Sequence, residues 1–147
     1  MKFKIIRNVY RSVGQPVCRL ILGDKMDAEL SKVRPKPFSG ITGTIGFIDF
    51  IVRNTFVPKK NAPEKLRLWL SEDFTKVRSF TILMIGIEPE FRGKKYFPFM
   101  VNLAERMAKK LHCQCVIYHT IQNKQVLGWA LERGFKPFFD HAVKYLE

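Results

Sequence analysis

Acidic residues are scarce in this chain: 13 Asp and Glu stand against 26 Lys and Arg, a formal charge of +13 at pH 7 over 147 residues. Such an imbalance repels cationic partners and draws the chain toward nucleic acid, anionic cofactors or an acidic protein surface. Cysteine is scarce too. Cys18, Cys113 and Cys115 are odd in number and follow no framework spacing, which excludes a disulfide scaffold and points to free thiols in a reducing compartment. No apolar run approaches the roughly 18 residues that cross a bilayer, and the opening MKFKIIR is charged too early for a signal peptide. The expectation is a soluble, cytoplasmic protein with no membrane contact. Internal repeats and low-complexity tracts are missing. So are RNA-recognition, zinc-finger and helix-turn-helix signatures, so any nucleic-acid contact would fall mainly on backbone phosphates.

The remaining composition describes a folded chain. An apolar content of 46% with 13 phenylalanines is too high for disorder, and the length predicts one domain over residues 1–147 with a core of its own. The charge excess is uneven. Residues 1–79 hold 16 basic and 7 acidic side chains, whereas residues 80–147 hold 10 and 6.

One segment carries the most information. Residues 80–87 (FTILMIGI) are uniformly apolar and rich in β-branched and aromatic side chains, which predicts a central strand. Pro89 ends it, and a basic turn with Gly93 follows. Pro98 suits a first helical position, and Met100, Leu103, Ala104, Met107, Ala108 and Leu111 recur at helical spacing opposite Asn102, Glu105, Arg106, Lys109 and Lys110. A strand, a tight turn and a helix N-terminus in that order present unpaired N–H groups and a positive dipole end to a phosphate or carboxylate.

The rest is punctuated more loosely. Residues 2–6 and 17–22 read as strands, and residues 43–52 read as strand or helix, with strand favoured by their β-branched and aromatic content. Residues 34–37 and 57–63 read as extended basic loops because of their prolines. Residues 66–70 read as a strand hairpinned to 80–87 across the polar stretch 71–79, with a short helix after Pro63 as the rival. Residues 115–119 read as a buried strand, Asn123 as an N-cap, and Val126, Leu127, Ala130 and Leu131 as the inward face of a helix ended by Gly134. Two short strands, 135–139 and 142–146, close the chain. Strand, helix, strand, helix, strand implies neighbouring parallel strands with right-handed crossovers. His112, Cys113, Cys115 and His119 cluster in sequence, but ligands along one straight strand spread about 7 Å per two residues. No metal is expected there, and the cysteines read as small buried hydrophobes.

The string IEPEFRGKK, the helix, the next strand, then Asn123 followed eleven residues later by Gly134 and Phe135 resemble the second half of the GNAT superfamily of acyl-CoA-dependent N-acyltransferases. The resemblance covers residues 80–139. It implies a mixed, twisted α/β sheet whose two central parallel strands splay apart around an acyl-CoA thioester, here acetyl-CoA. Family members hold the CoA pyrophosphate on an Arg/Gln-x-x-Gly-x-Gly/Ala turn, which maps onto Arg92, Gly93, Lys94, Lys95, Tyr96 and Phe97, with Ile87 at the strand end and Asn123 further on. Arg92 fits the pattern. Lys95 and Phe97 stand where the family has small residues, and a Cβ there obstructs close approach of backbone to phosphate; Lys94 and Lys95 can offer side-chain charge instead.

Acyl transfer to an amine needs a base, donors for the tetrahedral oxyanion and an acid for the departing thiolate. Many family members use a tyrosine seven residues after the Asn123 position as that acid, and this chain has Ala130 there. Glu88, at the end of the first splayed strand, is the candidate base; Tyr118 and His119, at the end of the second, are the other titratable candidates. Three functions are expected from these residues: acetyl-CoA-dependent N-acetylation of an amine acceptor; a non-catalytic protein on the same fold whose basic surface holds nucleic acid or another protein; or an acyltransferase acting on RNA or another large anionic substrate.

Overall fold

A computed structural model describes residues 2–12, 14–23, 44–62, 71–93, 96–119, 124–139 and 141–147. Among the described residues seven strands and two α-helices follow in the order β1 (Lys2–Ser12), β2 (Gln15–Gly23), β3 (Thr44–Pro58), β4 (Phe74–Ile87), α1 (Tyr96–Lys110), β5 (Cys115–Tyr118), α2 (Lys124–Glu132), β6 (Lys136–Phe138) and β7 (His141–Tyr145). They form one mixed sheet in the order β1-β2-β3-β4-β5-β7-β6. Among the described residues no helix is long and apolar enough to cross a membrane.

The expected α1 crossover is present: β4 and β5 pair in parallel, Ser79 opposite Cys115 through Ile82 opposite Tyr118. The second expected crossover is not a neighbouring one. β7 lies antiparallel against β5, and among the described residues β6 pairs with β7 at the end of the strand order, so the chain passes from α2 to the outer strand and folds back. A strand of three residues is too short to cover the buried β5, whereas the five residues of β7 can.

Several boundaries also move, among them that of β1, which runs on from residue 6 to Ser12. β4 begins at Phe74, inside the stretch read as a polar connection, because exposed Lys76 and Arg78 alternate with buried Val77 and a period of two is strand patterning whatever the mean polarity. Its sheet neighbours are β3 and β5; residues 66–70 lie outside the described residues, as do residues 34–37. β3 runs on to Pro58, taking in the start of the second expected loop. α1 starts at Tyr96, which puts Pro98 third, still within the first turn where its missing N–H has no intrahelical acceptor to lose.

The chain divides into two compact units, Met1–Ile51 with Leu83–Arg106, and Val52–Ile82 with Met107–Glu147. In the first, Val9, Val17 and Ile51 pack with Ile6, Tyr10 and Leu83. Two glycines there admit close neighbours: a Cβ on Gly46 would stand 2.9 Å from the Met100 sulfur, and one on Gly86 would stand 2.3 Å from the Phe47 ring. The same unit buries charge. Arg19 and Asp49 face each other across β2 and β3. The guanidinium meets the carboxylate at 2.5 Å through Nε and 2.8 Å through Nη2, and the Tyr10 hydroxyl donates to the same carboxylate at 2.8 Å. The Arg19 guanidinium also lies 4.8 Å from the centre of the Phe47 ring.

In the second unit Val57, Val77, Cys115, Ile117, Phe138 and Val143 form the core. Both helices end in the same way. Cys113 N–H reaches the Ala108 carbonyl and His112 N–H that of Lys109, with His112 at φ 58°; Phe135 and Gly134 repeat the pattern on Ala130 and Leu131. These are Schellman caps. The stop expected at Gly134 is therefore present, while the inward face of α2 needs correcting: Ala130 is fully buried, but Leu131 is 44% exposed, and Val126 and Leu127 have side chains outside the described ones.

Cys113 and Cys115 are buried, as expected of small hydrophobes. Burial, with the charge of Cys113 behind it, pushes the Cys115 thiol up to about 12. Burial, then the hydrogen bond to Asp49 and its charge, push the Tyr10 phenol up to about 12 against the opposing Arg19. Both groups are acids with folded pKa values above their ordinary 9.0 and 10.0. Their contribution is complete below the unfolded values and lost as pH rises through the folded ones. The melting temperature should therefore hold to about pH 9 and fall steadily between about pH 9 and 12. Circular dichroism melts across that range check it, and a profile flat to pH 12 would contradict the buried placement of both groups.

Candidate functional site

In the first unit four of the eight expected cofactor residues, Ile87, Arg92, Gly93 and Phe97, line one cavity. β4 ends at Ile87, where Glu88 donates its N–H to the Ile45 carbonyl at 2.8 Å, which fixes the exit of the chain from the sheet. Pro89–Phe91 make one 3-10 turn. Phe91 N–H bonds the Glu88 carbonyl at 2.9 Å and Arg92 N–H bonds that of Pro89 at 3.3 Å. Gly93 then takes φ +74°, in open space. That left-handed conformation costs a Cβ-bearing residue about 1 kcal/mol or more.

Ile85, Gly86, Ile87, Phe91, Arg92, Gly93 and Phe97 line a cavity of about 290 Å³. Its aromatic side is braced by Tyr96, whose ring meets Phe91 edge-on at 5.4 Å. Arg92 folds back so that its Nε donates to the Ile87 carbonyl at 3.0 Å, which holds an exposed guanidinium beside the strand end. Phe97 does occupy the wall of this cavity. Lys94 and Lys95 lie outside the described residues. The first-turn N–H groups of α1 have no acceptor within the helix, and Pro98 supplies none. An anion entering here would meet Gly93 backbone, the helix end and the Arg92 charge. A Cβ on Gly93 would meet nothing within 4 Å, so the backbone there is open on that side.

Glu88 is half-buried and one residue beyond the cavity-lining Ile87. Tyr118 and His119 belong to the second unit. Tyr118 is buried, with its ring centre 5.0 Å from that of Phe135. His119 extends the parallel ladder by one bond, from its N–H to the Ile82 carbonyl at 3.0 Å, and its ring stacks on His141 at 4.5 Å while Phe138 meets His141 edge-on. Asn123 lies outside the described residues. Ala130, where the family's tyrosine would stand, points into the core.

Sequence reasoning missed Ile85, Gly86 and Phe91 as cavity walls, although Gly86 inside an apolar strand was a signal of close approach. It also missed the Tyr10, Arg19 and Asp49 network. The signal was available: Arg19 and Asp49 are charges inside otherwise apolar strand segments.

No family model and no curated protein sequence matches the chain. Solved structures do. The toxin AtaT complexed with acetyl-methionyl-tRNAfMet is 11% identical, with 88% of this chain and 71% of that one covered and a TM-score of 0.58; a variant of the same toxin was solved with acetyl-CoA. The NatC complex bound to Gag peptide and CoA is 13% identical over 89% of this chain and 71% of that one, TM-score 0.52. NAA60 of Arabidopsis thaliana with a bisubstrate analogue is 14% identical over 89% and 77%, TM-score 0.50. At these identities the likeness concerns architecture: the chain has the GNAT fold.

Proposed function

We propose that this chain is an acyl-CoA-dependent N-acyltransferase, with acetyl-CoA as donor and an amine acceptor carried on an anionic molecule. The observation that carries the reading is the cavity at the end of β4, where left-handed Gly93, the Arg92 guanidinium and the start of α1 converge. Gly93, Arg92 and the first turn of α1 would hold the pyrophosphate. Bound acyl-CoA would supply an acyl group already activated as a thioester. Glu88, on the last turn of chain before that anion site, would take the proton from the attacking amine directly or through a water. Support for the donor comes from the GNAT-fold proteins solved with acetyl-CoA or CoA. Support for an anionic acceptor comes from the +13 charge and from the AtaT complex with an acetyl-methionyl-tRNA.

Calorimetry with acetyl-CoA at low salt should show binding that weakens as salt rises, as phosphate contacts do. Gly93→Val should weaken it at least about tenfold while costing only about 1–2 kcal/mol of stability, because the turn must distort although nothing crowds the new side chain. No binding at millimolar ligand would end this reading.

A second reading, a GNAT-fold protein that binds without catalysis, is favoured by one observation. The family's acid position is Ala130, and it is fully buried. A tyrosine there would overpack the core, so this chain has no phenol at that place to protonate a thiolate. Acetyl-CoA binding without release of free CoA thiol, across several amine acceptors, would select this second reading.

A further inference from the structure

The second unit carries a basic groove that the acyl-transfer reading does not use. Two cavities of about 790 and 510 Å³ share Lys60, Tyr145 and Glu147 as lining residues. The larger adds Lys136, Lys144 and Phe135, the smaller Lys109. Among the described residues, four lysines and one glutamate thus line these adjoining concavities, which offer far more room than a single small anion fills.

The walls are built rather than incidental. Tyr145 hydroxyl donates to the Pro58 carbonyl at 2.7 Å, which fixes the ring, and the Lys60 ammonium lies 5.2 Å from the centre of that ring. The Lys144 ammonium lies 5.9 Å from the Phe135 ring centre, and Lys136 donates to the Ala62 carbonyl. Cation–π and backbone contacts hold these side chains along the groove instead of leaving them to sweep through solvent. Ordering lysines in advance reduces the entropy lost when they meet a ligand.

We propose that this groove binds the phosphodiester backbone of single-stranded RNA, with Lys60, Lys109, Lys136 and Lys144 as the phosphate contacts. Regularly spaced negative charges on an extended chain match several lysines spread over adjoining cavities. With the Lys60 ammonium already over the Tyr145 ring and Phe135 buried, phosphate contacts would outweigh base stacking, and binding would be indifferent to sequence. The site is independent of the cofactor turn: RNA would bind whether or not acetyl-CoA does.

The test is fluorescence anisotropy of a labelled 20-mer oligouridine, without acyl-CoA, at 50 to 200 mM salt. Four phosphate contacts predict a slope of log K against log salt of about −3, close to a 50-fold loss over that range. Lys60→Gln with Lys144→Gln should weaken binding at least about tenfold at 50 mM salt and make the slope shallower by about 1.4. Lys4→Gln with Lys76→Gln removes the same charge from exposed strand positions outside the groove and should change affinity less than about twofold. Thermal melts establish that both double variants are folded. Equal losses in the two would mean diffuse charge and overturn the groove. Binding to polyglutamate but not to oligouridine would give the groove to an acidic protein and overturn the RNA proposal, as would no binding at all.

Discussion

Asp49→Ala should destabilise the protein by about 3–5 kcal/mol, a large share of the 5–15 kcal/mol that holds a typical domain together. The carboxylate is fully buried and accepts from Arg19 twice and from Tyr10 once. Removing it leaves a guanidinium that is itself almost wholly buried with its countercharge gone, and a phenol without its acceptor. Desolvation of the stranded cation, not the lost attraction, dominates the cost. In urea the midpoint should fall by on the order of 2 M, taking a slope near 2 kcal/mol/M. Tyr10→Phe should cost less, about 1.5–3 kcal/mol, since only one hydrogen bond to a charged acceptor is lost. The discriminating variant is Arg19→Met with Asp49→Leu together. Replacing both partners by apolar groups removes the stranded charge, so the pair should recover much of the loss. A single Asp49→Ala cost below about 1 kcal/mol would mean that water reaches the pair and that it is not the dry cross-strand bridge described.

Glu88→Gln should lower kcat by roughly 100-fold or more while leaving acetyl-CoA affinity within a few-fold. Gln keeps the size and hydrogen-bonding reach of the side chain but cannot accept a proton from an ammonium or a water. The position itself is rigid, because its N–H is held by the Ile45 carbonyl and its carbonyl by Phe91. A substitution that preserves those backbone bonds tests proton transfer and not the turn. The split between kcat and donor affinity matters, since damage to the cavity would weaken binding as well. If the rate is unchanged, Glu88 is not the base, and the half-buried His119 at the end of β5 becomes the group to substitute.

What the sequence determined by itself was everything set by local pattern. The uniform apolarity of residues 80–87 placed β4 in the middle of the sheet, the three- and four-residue spacing from Met100 placed α1, and Gly134 placed the end of α2. Helical periodicity and left-handed caps are decided within a few residues, so neighbours in sequence suffice to specify them. The segments that line the cavity are likewise close in sequence, which is why Ile87, Arg92, Gly93 and Phe97 could be named together. Which strands lie side by side is set instead by contacts between distant segments. β7 took the place beside β5 that the crossover rule gave to the strand after α2, because pairing is a contest between segments for buried hydrogen-bonding edges. The same holds for Leu131, exposed although it follows the helical repeat, and for Arg19 and Asp49, thirty positions apart, whose charges are tolerable only when β2 and β3 register them face to face. A sequence shows that a charge sits in an apolar strand; the partner that makes it affordable comes from another strand, and no local rule carries that information.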